Sequence, residues 1–80
     1  MIEISSEYMT LSVGGEVIAT ARFSKDAAAD GNGAWIVSTL PLRRFYRDQA
    51  ITALTLAERL AVGFDDDDPF VKTWRKELFL

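Results

Sequence analysis

The sequence predicts an α+β domain, a three-stranded antiparallel β-meander covered on one face by two C-terminal helices in the order β-β-β-α-α. Three observations carry this. Residues 8–13 and 17–23 alternate apolar and polar side chains around Gly14-Gly15, which is a hairpin pattern. A third run, Ala34 to Leu40, contains Trp35, Ile36, Val37 and Thr39 and meets Pro41. From residue 47 onward the apolar period lengthens from about 2 to about 3.6. A three-stranded sheet needs a helical cover to be stable.

In the first strand Met9, Leu11 and Val13 alternate with Tyr8, Thr10 and Ser12. In the second, Val17, Ala19, Ala21 and Phe23 alternate with Ile18, Thr20 and Arg22. A two-residue Gly14-Gly15 loop pairs Val13 with Glu16 and Leu11 with Ile18. That register puts the apolar set of the second strand on the face opposite Met9 and Leu11. A one-residue slip flips every side chain, so an odd-length connection, as a three-residue loop or a bulge, is expected. Ile2 and Ile4 are expected to extend the first strand beyond an irregularity near Ser5-Ser6.

Residues 24–33 read as a loop. Lys25-Asp26 and Asp30-Gly31-Asn32-Gly33 have turn chemistry, and Ala27-Ala28-Ala29 fits a frayed helical turn. No P-loop lysine or EF-hand ligand series accompanies them. Pro41 is expected to end the third strand, because proline cannot donate to a ladder. Leu42 to Tyr46 then links to the first helix, with Leu42 and Phe45 as anchors.

The stretch from Arg47 to Gly63 organises the chain. Asp48, Thr52, Thr55 and Arg59 fall on one polar stripe, and Ala50, Ala53, Leu54, Ala57, Leu60 and Ala61 on the opposite side. Ile51 and Leu56 flank that apolar face. Asp48 is the expected N-cap. Gly63 suits the left-handed position past the end, with Phe64 folding back on the last turn. Asp65-Asp66-Asp67-Asp68 precedes Pro69, so Asp68 as cap and Pro69 at the first helical position start the second helix. Along it Phe70, Val71, Trp74 and Leu78 recur at helical spacing, and Trp74 is expected in the core.

Eighty residues make one domain, 1–80, with a thin core. The chain has no cysteine and no histidine. That removes disulfides, thiolate nucleophiles, the usual zinc sites and imidazole acid–base chemistry. The first residues carry neither a basic patch nor a long apolar run, and nothing approaches the roughly 20 apolar residues of a membrane span. A soluble cytoplasmic protein is expected, with no cofactor and no metal. Carboxylates, tyrosine, lysine and serine are present but not spaced as a catalytic constellation, so the chain reads as non-enzymatic.

Three surfaces are candidates for function. The first is the sheet face away from the helices, with Tyr8, Thr10, Ile18, Thr20, Arg22 and either Trp35 or Ile36. It suits a protein partner or self-association, and it also matches an ordinary solvated face. The second is Arg22 with Arg43, Arg44, Tyr46 and Arg47, where guanidinium groups interleave with aromatics as nucleic-acid binders require. A formal charge of −3 counts against it. The alternative is a solvated linker with Phe45 in the core. The third is Asp65 to Asp68, which suits a basic partner, a divalent cation or phosphate mimicry, but four adjacent carboxylates usually form a solvated loop.

Two resemblances add to this reading. The topology is similar to the three-stranded, helix-backed arm-recognition domains of some phage integrases, an analogy of fold alone. Trp35 to Thr39, Asp48 to Glu58 and Asp68-Pro69-Phe70-Val71 together resemble short uncharacterised proteins of actinobacteria and their phages. That resemblance covers about half of the chain, implies an accessory or regulatory setting and a phage origin, and transfers no activity and no site residue. The leading expectation is a small accessory or regulatory protein that acts by protein–protein binding. A nucleic-acid-binding module is the alternative.

Overall fold

The computed structural model describes residues 1–27 and 33–80. The expected turns at Ala27-Ala28-Ala29 and Asp30-Gly31-Asn32-Gly33 therefore fall mostly outside the described residues. Five strands come first: β1 (Ile2–Ile4), β2 (Tyr8–Val13), β3 (Glu16–Ser24), β4 (Ala34–Val37) and β5 (Leu40–Phe45). Two helices follow, α1 (Arg47–Ala61) and α2 (Pro69–Glu77). The strands pair antiparallel in chain order, β1-β2-β3-β4-β5. The α+β meander is as expected, but the sheet has five strands rather than three.

The two additional strands have local causes. Ile2–Ile4 does not extend the next strand. It folds back on it, pairing Ile2 with Leu11 and Ile4 with Met9. Ser5-Ser6-Glu7 makes the turn, with Ser5 N and Ser5 Oγ both donating to the Tyr8 carbonyl at 2.8 Å. At the other end the run from Ala34 breaks at Ser38-Thr39, because Ser38 is held by β3. Its amide donates to Thr20 O, and its hydroxyl accepts from Thr20 N at 2.9 Å. The chain reverses there, and Pro41 lies inside β5 instead of ending a strand. β5 has a neighbour on one side only, where a missing N–H is tolerated. Leu42 is not an anchor, being 93% exposed, whereas Phe45 is buried.

The β2–β3 connection has no three-residue loop; it is a two-residue turn followed by a bulge, the other arrangement expected to restore a common apolar face. Gly14 and Gly15 form a two-residue turn, both with positive φ (63° and 81°), as the tightest hairpins require. Val13 pairs with Glu16 and Ser12 with Val17. The register then shifts, so that Leu11 faces Ala19, not Ile18. A bulge at Ile18 thus performs the flip that the apolar pattern demands. Beyond it Met9–Ala21 and Leu11–Ala19 share the inner face.

The core lies between this inner face and α1. Met9, Leu11, Ala19, Ala21, Trp35, Val37 and Phe45 meet Ala50, Ala53, Leu54 and Leu56, and Val71 of α2 with Leu78 at its C-cap completes it. Phe23, Trp35 and Phe45 form an aromatic row by cross-strand pairing, a stabilising arrangement. Leu60 and Ala57 are half-buried, and Ala61, placed on the apolar face by its spacing, is exposed. The cap of α1 lies two residues earlier than expected. Tyr46 is the N-cap rather than Asp48, and Gln49 Oε1 accepts from Tyr46 N at 2.9 Å. Asp48 remains in the first turn, where it meets the positive end of the helix dipole.

Both helices end in the same way. At the end of α1, Gly63 N donates to Leu60 O and Phe64 N to Arg59 O, with Gly63 at φ 110°. This is a Schellman motif. At the end of α2, Phe79 N donates to Lys76 O and Leu80 N to Arg75 O. Here the left-handed position is filled by Phe79, at φ 59°, a conformation disfavoured for a bulky side chain. Phe79 is 81% exposed, so its ring gains little burial in exchange. Phe79→Gly is expected to stabilise the protein by about 0.5–1 kcal/mol and Gly63→Ala to destabilise it by about 1 kcal/mol. Urea-unfolding midpoints measure both, and equal midpoints for Phe79→Gly and the parent would remove the strain argument.

Candidate functional site

The helices occupy one face of the sheet, and among the described residues no second layer covers the other. Directly opposed residues in an antiparallel ladder share a face. Tyr8 pairs with Arg22, and Arg22 with Ile36. Glu3 pairs with Thr10, and Thr10 with Thr20. Four of the five residues expected on the open face, Tyr8, Thr10, Thr20 and Arg22, therefore stand together in two adjacent rows. Tyr8 and Arg22 are exposed, and Thr10, Thr20 and Ile36 are half-buried. Ile18 is 43% exposed but sits in the bulge, off the ladder towards the hairpin tip. Trp35 points inward and is buried, which leaves Ile36 as the apolar member of the outer row.

The arginine–aromatic segment is not gathered in the same way. Arg43 lies on the helix side. Its Nη2 donates to Leu78 O at 2.8 Å, and its guanidinium lies 5.8 Å from the Phe45 ring centroid. It thereby satisfies a carbonyl at the negative end of α2. Arg44 Nη1 donates to the carbonyls of Pro41 and Arg43 on its own strand. Tyr46 and Arg47 are exposed at the start of α1, and Arg22 belongs to the outer sheet face.

The aspartate run is divided among structural tasks. Asp65 Oδ1 accepts from Asp67 N at 3.0 Å, and Asp66 pairs with Arg75 at 2.9 Å. Asp68 caps α2, accepting from Val71 N at 3.0 Å, and also receives Arg59 in a two-pronged bond. Arg59 Nε reaches Oδ2 at 2.7 Å and Nη2 reaches Oδ1 at 2.9 Å. The side chain of Asp68 is only 9% exposed. The guanidinium lies 3.8 Å from the Phe64 ring centroid and 4.7 Å from that of Phe70, so cation–π contact adds to the ion pair. Among the described residues no group of three or more carboxylates is placed to hold a metal ion.

No family model, curated protein or solved structure matches the chain. No helix among the described residues is long and apolar enough to cross a membrane.

A groove of about 490 Å³ opens between the β2–β3 hairpin tip and the junction of the two helices. Val13, Gly14 and Gly15 form one side, and Val62, Phe64 and Trp74 the other. Trp74 is half-buried rather than fully in the core. At one end Glu58 Oε2 accepts from the Met1 ammonium at 2.7 Å. The groove's residues come from four separate parts of the chain. The local density of Phe64, Phe70 and Trp74 was the one sequence signal near it.

The hydrogen bond from Arg59 holds the Asp68 carboxyl below the usual carboxylate range, against the opposing effect of desolvation, and the amide of Val71 assists. The same bond raises the Arg59 guanidinium further. An unfolded aspartate titrates near about 3.9. Because the folded value is lower, the stability Asp68 contributes is fully present above that pH and is lost as pH falls through the folded value. The difference in urea midpoint between the parent and Asp68→Asn is expected to be largest near neutrality and to shrink below about pH 4. A difference constant from pH 7 down to about pH 3 would mean that Asp68 acts only as a neutral cap.

Proposed function

We propose that the protein is a small, non-enzymatic accessory module that binds another protein through its outer sheet face. The row Tyr8–Arg22–Ile36, on a face the helices leave open, is the observation that supports this reading. Tyrosine and arginine dominate the energetics of protein interfaces because each joins a broad flat contact to a polar end. Ile36 adds an apolar centre, and Thr10 with Thr20 gives a short-chained, hydrogen-bonding flank. The partner that fits offers a carboxylate to Arg22 and apolar cover to Tyr8 and Ile36. A regulatory setting in phage biology agrees with the resemblance of residues 35–78.

Nucleic-acid binding is the weaker reading. Arg43 and Arg44 are engaged within the fold, which leaves Arg22, Tyr46 and Arg47 for phosphates and bases on a chain of charge −3.

A photo-cross-linking residue at position 8 is expected to give a discrete protein adduct in cells. The same group in place of exposed Lys72 on α2 serves as control. Arg22→Ala should abolish the adduct, and an adduct of twice the chain's mass would identify a second copy as partner. Identical adducts from both positions, or none from position 8, would overturn the sheet face as the site. Salt-sensitive retention on DNA that falls with Arg22→Ala plus Arg47→Ala would replace it with the nucleic-acid reading.

A further inference from the structure

Among the described residues the three most exposed large apolar side chains are Leu42, Phe79 and Tyr46, at 93%, 81% and 77%. They are distant in sequence, yet the fold brings them to one rim of the sheet, the free edge of β5. Arg43 Nη2 donates to Leu78 O at 2.8 Å, which sets the end of α2 against β5. Leu80 then shares a recess with Thr39 and Leu40. Residues 78–80 thus run beside β5, and Phe79, between them, projects outward. Tyr46 follows directly on β5. Side chains this exposed protrude from the rim instead of lining a recess.

Phe79 is also strained. It holds φ 59°, which a phenylalanine adopts at a cost, and its ring gains no burial within the chain in return. Strain that the surrounding bonds maintain without a folding benefit points to a use outside the fold.

The charge at this rim is opposite to that of the chain as a whole. Residues 40–47 contain three arginines and no acid. Arg44 Nη1 donates to the carbonyls of Pro41 and Arg43, one on each side of Leu42. The Arg43 guanidinium lies on the carbonyl next to Phe79. A carbonyl partner orients a guanidinium without neutralising it, and among the described residues neither arginine has an ion-pair partner. Arg47 and Lys76 are exposed in the same segments. Four cations there outweigh Asp48, Glu77 and the carboxylate at Leu80, on a chain of formal charge −3.

We propose that the β5 rim is a peripheral membrane contact, which docks on a bilayer surface carrying anionic phospholipids. Leu42 and Phe79 enter the headgroup layer, and Tyr46 lies at its polar boundary, where amphipathic rings collect. The arginines meet the negative surface potential, which acts on their charge and needs no free donor. A soft lipid interface covers protruding apolar side chains, whereas a peptide needs a recess and a nucleic acid offers leucine nothing to stack on. The contact stays at the surface, since no helix among the described residues is long and apolar enough to cross.

The test is co-sedimentation of the whole chain with vesicles of pure phosphatidylcholine and of phosphatidylcholine mixed equally with phosphatidylglycerol. The mixed vesicles are expected to bind it at least about tenfold more tightly, an advantage that shrinks as salt is raised. Phe79→Gly should weaken this binding about fivefold or more while raising the urea midpoint, so that its loss cannot be unfolding. Leu42→Ser should weaken it similarly, and Arg44→Glu should remove the preference for the mixed vesicles, both with an unchanged circular dichroism spectrum. No binding to the mixed vesicles, equal binding to both kinds, or parental binding by Phe79→Gly and Leu42→Ser would each overturn the proposal. Retention on duplex DNA that Arg44→Glu abolishes, without vesicle binding, would replace it with a nucleic-acid contact. Tyr8→Ala should leave vesicle binding unchanged, and Leu42→Ser should leave the position-8 adduct unchanged, so this rim and the sheet-face reading can fail independently.

Discussion

The two-pronged bond between Arg59 and Asp68 is the constraint on which the helical layer depends. α2 has only nine residues, too few to be stable alone in water. Val71 and the C-cap residue Leu78 are fully buried, which orients the helix without fixing where it starts. Asp68 fixes the start twice, by capping the first turn and by holding the last turn of α1 through Arg59. The rings of Phe64 and Phe70 shield the pair from water, and a lower local dielectric strengthens every bond in it. Because Phe64 is also the residue that closes the Schellman motif of α1, helix termination, helix capping and the ion pair share the same few atoms. The wall of the groove is a by-product of that economy, since Phe64 and Trp74 stand where this junction puts them.

The sheet is organised by a different constraint, the need for one apolar face. A two-residue turn is the natural link for Gly14-Gly15, and it sets the wrong parity for the strand that follows. The bulge at Ile18 restores it, and so Ala19 and Ala21 face inward beneath α1. Small residues on both layers, Ala19 and Ala21 below and Ala50 and Ala53 above, keep the helix close to the sheet. The Cα envelope is accordingly only 17 Å in its thinnest direction, two layers and no more. Among the described residues nothing lies over the far side of the sheet.

Local features were legible in the sequence, and long-range ones were not. The glycine hairpin, the body of α1, the proline start of α2 and the closing role of Gly63 each depend on residues a few positions apart. β1 has three residues and β5 carries a proline and two arginines, so neither has a strand pattern of its own. Both exist because β2 and β4 offer them a ladder. Ala61 was misplaced because helical spacing cannot show where the sheet beneath a helix ends. On the open face, alternation identified Tyr8, Thr10, Thr20 and Arg22 correctly and failed only at Ile18, where the bulge breaks the period. Arg43 and Arg44 were grouped because they are adjacent in sequence. Side chains next to each other on a strand point to opposite faces, and each found a carbonyl partner within the fold. The groove needs residues 13, 62, 64 and 74 to converge, which no local pattern reports.

The outermost strands are poor templates for further pairing. β1 is too short to recruit a fresh strand, and β5 lacks an amide proton at Pro41 and has two of its carbonyls occupied by Arg44. Unprotected sheet margins are where chains zip together into fibrils. A three-residue strand at one rim and a proline at the other leave few backbone groups for a further strand to pair with, so crowded copies of this ribbon gain little by lengthening it.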